Sequence, residues 1–157
     1  MNESDKSVLF VCLGNICRSP LAEIIARAKF ARAGLDLHVA SAGTGDWHIG
    51  QGADARACAV AARHGYDLSS HRAQQVSVAD FNRFDWLLGM DRSNVLHLLQ
   101  MQPQGCRARI GLMLDVAGVG TPAEVPDPYF GGDDGFLTVL ELLEGAIDGL
   151  THQLSES

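Results

Sequence analysis

Positive charge is scarce in this chain of 157 residues. Lysine and arginine together number 12, against 19 aspartates and glutamates, which leaves a formal net charge of −7. The lysines are Lys6 and Lys29. This balance argues against nucleic acid or an anionic membrane as the main partner, because both are bound through dense positive charge. Any site for an anion must therefore be built locally, from arginine and backbone N–H groups.

Long apolar runs and targeting signals are missing as well. No run approaches the ~20 apolar residues of a membrane-spanning helix, and residues 1–6 lack the apolar core of a secretion signal. The four cysteines are Cys12, Cys17, Cys58 and Cys106. They show neither a CxxC pattern nor a zinc-like spacing. We therefore expect free thiols, no metal or other cofactor, and a cytoplasmic protein without membrane attachment.

The chain alternates short apolar runs with helical patterns. Runs of strand length lie at 7–12, 37–41, 85–89 and 108–114. Helical patterns lie at 19–33, 54–64, about 78–82, about 91–101 and about 134–154. Strands that alternate with helices indicate right-handed β-α-β units. We predict one α/β domain over residues 1–157, with a four-stranded parallel sheet, helices on both faces and a phosphate-binding loop after the first strand.

The segment from Cys12 to Pro20 has the composition of a loop that binds an oxyanion. Gly14 permits backbone angles that residues with a Cβ resist, so successive N–H groups can point inward around an anion. Arg18 can offer its planar guanidinium to two oxygens. Pro20 fits the first turn of a helix, whose positive end would face the anion. Because the same field stabilises a thiolate, Cys12 is a candidate nucleophile.

The ends of the predicted strands share one edge of the sheet, where ligands bind in open parallel sheets. Cys12, Ser41 and the stretch Gly89–Asp91 each fall at such an end, and the loop 115–133 follows the last strand. This loop is rich in Gly, Pro and Asp and longer than most connections, which favours a functional role. The topology therefore brings separate positions of the sequence to one place.

Beyond Cys-x5-Arg-Ser at the end of the first strand, the chain carries further short motifs. They are Ser41-Ala42-Gly43-Thr44, Trp47, Asp54-x-Arg56-Ala57, His71-Arg72-Ala73, Met90-Asp91-Arg92-Ser93-Asn94 and Asp127-Pro128-Tyr129. Cys-x5-Arg alone is a weak pattern. The ordered set, which spans nearly the whole chain, resembles the low-molecular-weight protein tyrosine phosphatase family.

The resemblance implies an enzyme that hydrolyses phosphotyrosine and small aryl phosphates through a phosphocysteine intermediate. Its catalytic residues would be the nucleophile Cys12, the phosphate clamp Arg18 and the general acid and base Asp127. The substrate-binding positions would be Leu13, Gly14, Asn15, Ile16, Cys17, Ser19, Trp47 and Tyr129. The supporting positions would be Ser41, His71 and Asp91.

The family also implies roles for these positions. The N–H groups of residues 13–18 would bind the equatorial oxygens of the phosphoryl group, and the Ser19 hydroxyl would hydrogen-bond to the sulfur. Trp47 and Tyr129 would flank the mouth of the pocket and stack on a flat aryl substrate. Asn15 would brace the loop through contacts with the positions of Ser41 and His71.

Two positions bear on how the activity could be regulated. Phe130 stands where many relatives have a second tyrosine, which argues against regulation by phosphorylation there. Cys17 has two interpretations: a packing residue on the first helical turn, or a redox partner that traps oxidised Cys12 as a disulfide.

Three other functions share parts of this pattern. Arsenate reductase has the same fold and phosphate loop but needs additional thiols near the site, and Cys58 and Cys106 are not a closely spaced pair. A protein arginine phosphatase of this family tends to have threonine at the position of Ile16, whose apolar side chain favours a phenyl ring. An anion-sensing module without turnover would not need a complete catalytic set.

The resemblance also bears on partners. It implies a phosphotyrosine-containing protein, such as the tyrosine kinases of polysaccharide export that many bacterial relatives act on. A monomer is the simplest expectation, and the sequence does not identify the physiological substrate.

Overall fold

A four-stranded parallel sheet forms the centre of the computed structural model, which describes residues 1–155 apart from the side chain of Asp133. The strands are β1 (Ser7–Cys12), β2 (His38–Gly43), β3 (Trp86–Gly89) and β4 (Arg109–Leu112). Their order across the sheet is β2-β1-β3-β4. Cys12 at the end of β1 pairs with Gly43 of β2, and Val11 pairs with Gly89 of β3. The predicted parallel α/β fold is confirmed.

In the part of the chain that the structure describes, six helices surround the sheet. They are α1 (Arg18–Arg32), α2 (Ala55–Arg63), α3 (Asp80–Arg83), α4 (Arg92–Met101), α5 (Met113–Val116) and α6 (Asp133–Ser155). Helices α1 and α2 contact α6 on one face of the sheet, whereas α4 contacts β3 and β4. Within residues 1–155, no helix combines the length and the apolar character needed to cross a membrane.

Strand β1 is buried on both faces, which explains its unbroken apolar sequence. Phe10 belongs to one apolar cluster with residues of α1 and α6. Its neighbour Val11 points the other way, into a second cluster with residues of α3 and α4. Because successive residues of the strand are anchored in opposite clusters, the carboxyl end of β1 and the residue Cys12 are held firmly in place.

The sequence does not predict helix α5. The expected strand at 108–114 is too long, and the expected loop at 115–133 begins too early, because α5 lies between them. Strand β4 ends at Leu112, and Met113 opens a short helix that occupies Met113–Val116. The residues Met113 and Leu114 are both fully buried. A continuous apolar run contains no signal for the switch from strand to helix, because burial favours both equally. The other elements begin and end within two residues of the predicted bounds.

Candidate active site

The loop between β1 and α1 forms one wall of a pocket of about 210 Å³. The predicted site residues that line this pocket are Cys12, Leu13, Gly14, Ile16, Cys17, Arg18, Trp47, Asp127 and Tyr129. His48 and Phe130 line it too, although the sequence did not single them out for this site. The structure thus brings together the end of β1, the loop after β2, the start of α1 and the loop before α6.

The sulfur of Cys12 lies among hydrogen-bonding groups. Its Sγ is 2.9 Å from the Ser19 Oγ and accepts a hydrogen bond of 3.3 Å from the backbone N–H of Asn15. Helix α1 begins at Arg18, so its positive end faces the same loop. Donors and a helix N-terminus around a sulfur stabilise its negatively charged form. Cys12 is only 3% exposed, so attack on a substrate must come from the pocket.

The Arg18 guanidinium is buried and joins two other parts of the chain. Its Nη1 donates to Asp91 Oδ2 at 2.7 Å and to the Val125 carbonyl at 3.1 Å. Its Nη2 lies 3.6 Å from Asp127 Oδ2. Burial works to lower the pKa of Arg18, but the nearby charges of Cys12 and the two carboxylates outweigh it and raise the pKa above its ordinary value. The guanidinium therefore stays charged beside the pocket.

The loop turns at Asn15, not at Gly14, which corrects the role predicted for the glycine. Asn15 has a φ of 57°, in the left-handed region that asparagine tolerates better than most residues. Its Nδ2 donates to the Ser19 Oγ at 2.8 Å. A Cβ at position 14 would stand 3.0 Å from the Cδ2 of His48, so the His48 side chain would have to shift slightly to admit it.

The fully buried side chain of Asn15 braces the loop from behind and does not line the pocket. Its Nδ2 donates to the Ser41 Oγ at 2.9 Å, and the Ser41 hydroxyl donates onward to Glu23 at 2.6 Å. The Nε2 of His71 is 2.7 Å from the Asn15 carbonyl. The N–H of Gln74 donates to Asn15 Oδ1 at 2.9 Å. Sequence reasoning missed Glu23 and Gln74, since no local pattern marks a long-range contact.

Asp127 lies on the loop before α6 and reaches the same pocket. Its Oδ1 accepts a hydrogen bond of 3.0 Å from the N–H of Tyr129. The side chain is 40% exposed, so it can meet both a substrate and water. The start of this loop is attached to the sheet, because the Val125 N–H donates to the Met90 carbonyl at 2.9 Å.

Aromatic side chains surround the mouth of the pocket. Trp47 is 64% exposed and Phe130 is 95% exposed. The rings of Tyr129 and Phe130 stand edge to face, with centroids 4.9 Å apart. The Tyr129 and His48 rings are 6.4 Å apart. Flat apolar surfaces around a narrow opening suit a planar aryl group. His48 directly follows the predicted Trp47, and Phe130 directly follows the predicted Tyr129. This adjacency is the one signal in the sequence that could have placed His48 and Phe130 at the pocket.

The second cysteine of the loop differs from the first. Burial, and after it the negative charge of Asp54, raises the pKa of the Cys17 thiol far above its usual range. The Cys17 thiol therefore stays protonated near neutral pH, although it also lines the pocket.

Comparison with known proteins gives the family. The model of the low molecular weight phosphotyrosine protein phosphatase family matches residues 7–157. A low molecular weight protein-tyrosine-phosphatase of Streptomyces coelicolor is 44% identical over 154 residues, which cover 95% of this chain and 93% of the relative. Two crystal structures are also close. A protein tyrosine phosphatase from Entamoeba histolytica has a TM-score of 0.89 and 39% identity, with 95% and 96% of the two chains covered.

The second crystal structure, of a Drosophila arginine phosphatase, has a TM-score of 0.90 and 31% identity, with 96% and 98% covered. A tyrosine phosphatase and an arginine phosphatase thus share this fold, so similarity of fold does not distinguish phosphotyrosine from phosphoarginine as the substrate. The match of the family model over nearly the entire length shows that this chain belongs to the low molecular weight phosphotyrosine protein phosphatase family.

Proposed function

We propose that this chain hydrolyses phosphotyrosine in proteins through a phosphocysteine intermediate. The observation that carries the proposal is the meeting of three groups in one pocket: the Cys12 sulfur, the Arg18 guanidinium and the Asp127 carboxyl. A nucleophile, a fixed cation and a proton donor are the groups that phosphoryl transfer from an aryl ester requires. Membership of the phosphatase family supports the same assignment.

In the first step, the Cys12 thiolate attacks phosphorus. A sulfur–phosphorus bond forms while the bond between phosphorus and the phenolic oxygen breaks. The leaving oxygen takes a proton from Asp127, which avoids expulsion of a free phenolate. Arg18 and the backbone N–H groups of residues 13–18 hold the three equatorial oxygens and stabilise their charge in the transition state.

In the second step, water attacks the phosphocysteine. Asp127, now a carboxylate, takes a proton from the water, and the sulfur leaves as a thiolate while inorganic phosphate forms. The contacts of Ser19 and of the Asn15 N–H to the sulfur support this step, because they stabilise the departing negative charge.

The walls of the pocket favour an aryl ester over phosphoarginine. Ile16 lines the pocket with an apolar side chain, and Trp47 and Tyr129 add aromatic surface at the mouth. A guanidinium needs polar partners when it is desolvated. Arsenate reductase is disfavoured on another ground, because neither Cys58 nor Cys106 is among the residues that line the pocket.

Partner and location belong to the same proposal. The substrate is a phosphotyrosine-containing protein, with a bacterial tyrosine kinase as the first candidate, and the enzyme works as a cytoplasmic monomer. The net charge of −7 supports a protein partner over nucleic acid.

A comparison of substrates tests the proposal. We expect the reduced enzyme to hydrolyse a phosphotyrosine peptide with a kcat/KM at least about 100-fold above that for the same peptide carrying phosphoarginine, a difference of about 2.7 kcal/mol in transition-state binding. Cys12→Ser should lower turnover of the phosphotyrosine peptide by about 10⁴-fold or more, since the nucleophile is lost. Equal or faster hydrolysis of phosphoarginine would contradict the substrate assignment, and an active Cys12→Ser enzyme would contradict the mechanism.

A further inference from the structure

Arg56 lies on the first turn of α2, and its guanidinium reaches the loop that carries the proposed acid. We call residues 125–132 the acid loop. The Arg56 Nη2 donates to the Tyr129 carbonyl at 2.9 Å, and Nη1 donates to the Gly131 carbonyl at 3.2 Å. The guanidinium carbon is also 4.6 Å from the ring centroid of Phe136, at the start of α6. Arg56 thus holds the part of the acid loop that follows Asp127.

The same guanidinium is fixed by a carboxylate on its other side. Arg56 Nε donates to Asp54 Oδ1 at 3.1 Å, and Nη2 lies 3.0 Å from Asp54 Oδ2. The Asp54 side chain is only 12% exposed and also caps α2 through the Arg56 N–H. Burial works to raise the pKa of Asp54, but the hydrogen bonds from Arg56 outweigh it and the pKa lies below its ordinary value. The pair therefore stays ionised near neutral pH.

Asp54 is in turn attached to the loop that carries the nucleophile. Its N–H donates to the Ile16 carbonyl at 2.9 Å. The contacts continue from Asp54 through Arg56 to the Tyr129 carbonyl. Tyr129 then donates its N–H to Asp127 Oδ1 at 3.0 Å. The paired side chains of Asp54 and Arg56 therefore link the backbone around Cys12 to the backbone around Asp127.

We propose that Arg56 is a positioning residue, which fixes Asp127 at the distance from Cys12 that protonation of the leaving group requires. The inference rests on the proposed phosphatase mechanism. Proton transfer is efficient only within hydrogen-bond reach, and misplacement by about 1 Å can cost about 10²-fold in rate. Arg18 does not fix the Asp127 carboxylate tightly by itself. Its Nη2 is 3.6 Å from Asp127, whereas its Nη1 is only 2.7 Å from Asp91, so its close ion pair is with Asp91. A lysine at position 56 would not replace the planar fork that reaches two carbonyls and a carboxylate.

The test measures kcat/KM for a series of aryl phosphates whose phenols differ in pKa, from about 4 to about 10. This parameter reports formation of the phosphocysteine. The variants are Arg56→Met and Arg56→Lys, with Asp127→Ala as the reference for a lost acid. Arg63→Met is the matched control, because Arg63 is an exposed arginine in the last turn of the same helix.

We expect both Arg56 variants to lose about 10-fold or more on phenols of high pKa and less than about 2-fold on phenols of low pKa, which leave without protonation. The dependence on leaving-group pKa should therefore steepen toward that of Asp127→Ala, while Arg63→Met should match the wild type. An equal loss across the series, or an unchanged slope, would overturn the inference. Arg56→Lys keeps the charge and the helix propensity, so it retains a folded protein for the test if Arg56→Met is unstable. A wild type inactive on every aryl phosphate would instead overturn the proposed function.

Discussion

At the scale of single residues, the Ser19 hydroxyl lies between the Asn15 side chain, the Cys12 sulfur and the Ala42 carbonyl, whose oxygen is 3.5 Å away. The Ser19 Oγ accepts a hydrogen bond from the Asn15 Nδ2 at 2.8 Å and lies 2.9 Å from the Cys12 sulfur. The thiolate form of Cys12 carries no proton, so the Ser19 hydroxyl is the donor in its contact with that form of the sulfur. Such a donor stabilises the thiolate twice: as the nucleophile before attack, and as the leaving group when phosphocysteine is hydrolysed.

We predict that Ser19→Ala makes hydrolysis of phosphocysteine the slow step. A hydrogen bond to a charged group contributes about 1.5–3 kcal/mol, so kcat should fall about 10–100-fold. Formation of the intermediate should slow less, because the leaving group of that step is a phenol. Rapid mixing with an aryl phosphate of low leaving-group pKa should show a burst of phenol larger than in the wild type.

The matched control for this prediction is Ser41→Ala. It also removes one hydroxyl that accepts from the Asn15 Nδ2, at 2.9 Å, but Ser41 does not contact the sulfur. Both variants therefore weaken the brace behind the loop, and only Ser19→Ala removes a donor from the thiolate. Bursts of the same size in both variants would assign Ser19 to support of the loop alone.

At the scale of secondary-structure elements, the sequence predicts best what burial and spacing determine locally. Strand β1 is recognisable because both of its faces are apolar, and α4 because Asp91 caps it in a reciprocal pair with Asn94. The sequence favours a turn at Gly14, because glycine adopts a positive φ most easily. The structure has the positive φ at Asn15, whose side chain is held by Ser19, and the sequence does not signal that contact.

In the candidate site, too, the sequence predicts what is determined locally and does not predict contacts between distant residues. The ends of strands in a parallel sheet predict that Cys12 lies at this edge. Asp127, Trp47 and Tyr129 are expected there only because the chain resembles the family, and they line the same pocket as Cys12. The link from Arg56 to the Tyr129 carbonyl joins positions that are 73 residues apart and depends on how α2 and the acid loop lie in space. A single sequence contains no signal for such a contact.

Packing of α6 against α5 gives a prediction at this scale. A Cβ on Gly149 would stand 2.5 Å from the Ala117 carbonyl oxygen, whereas a Cβ on Gly145 would meet nothing within 4 Å. Both glycines lie inside α6, so alanine gains the same helix propensity at each. We expect Gly145→Ala to raise the free energy of unfolding by about 0.5–1 kcal/mol and Gly149→Ala to lower it by about 1–3 kcal/mol.

Urea unfolding of the two variants beside the wild type measures both changes. Two stabilised variants would mean that α6 can move away from Ala117 at little cost, and that the close approach is not a constraint on the fold.

At the scale of the whole molecule, Asp85 ties the start of the sheet together. Its Oδ2 accepts from the N–H groups of Lys6 and Ser7 at 2.6 and 3.1 Å, and its Oδ1 accepts from Arg107 at 2.7 Å. Burial works to raise the pKa of Asp85, but these hydrogen bonds, with the one from Lys6 foremost, lower it below its ordinary value. The carboxylate form is thus favoured in the folded protein over the unfolded chain.

The sign of the pH dependence follows from that lowered pKa. Stabilisation by Asp85 is complete above its unfolded-state pKa of about 3.9 and is lost as pH falls through the lower pKa of the folded state. We therefore predict that wild type exceeds Asp85→Asn in free energy of unfolding by a constant amount near neutral pH, and that this difference shrinks progressively below about pH 5. Urea unfolding at a series of pH values measures it. Asp36→Asn, which removes the same charge at an exposed position before β2, is the control. If the difference for Asp85→Asn persists unchanged into acid, its hydrogen bonds stabilise the fold equally well with a protonated carboxyl, and the tie between the first residues and the sheet does not depend on charge.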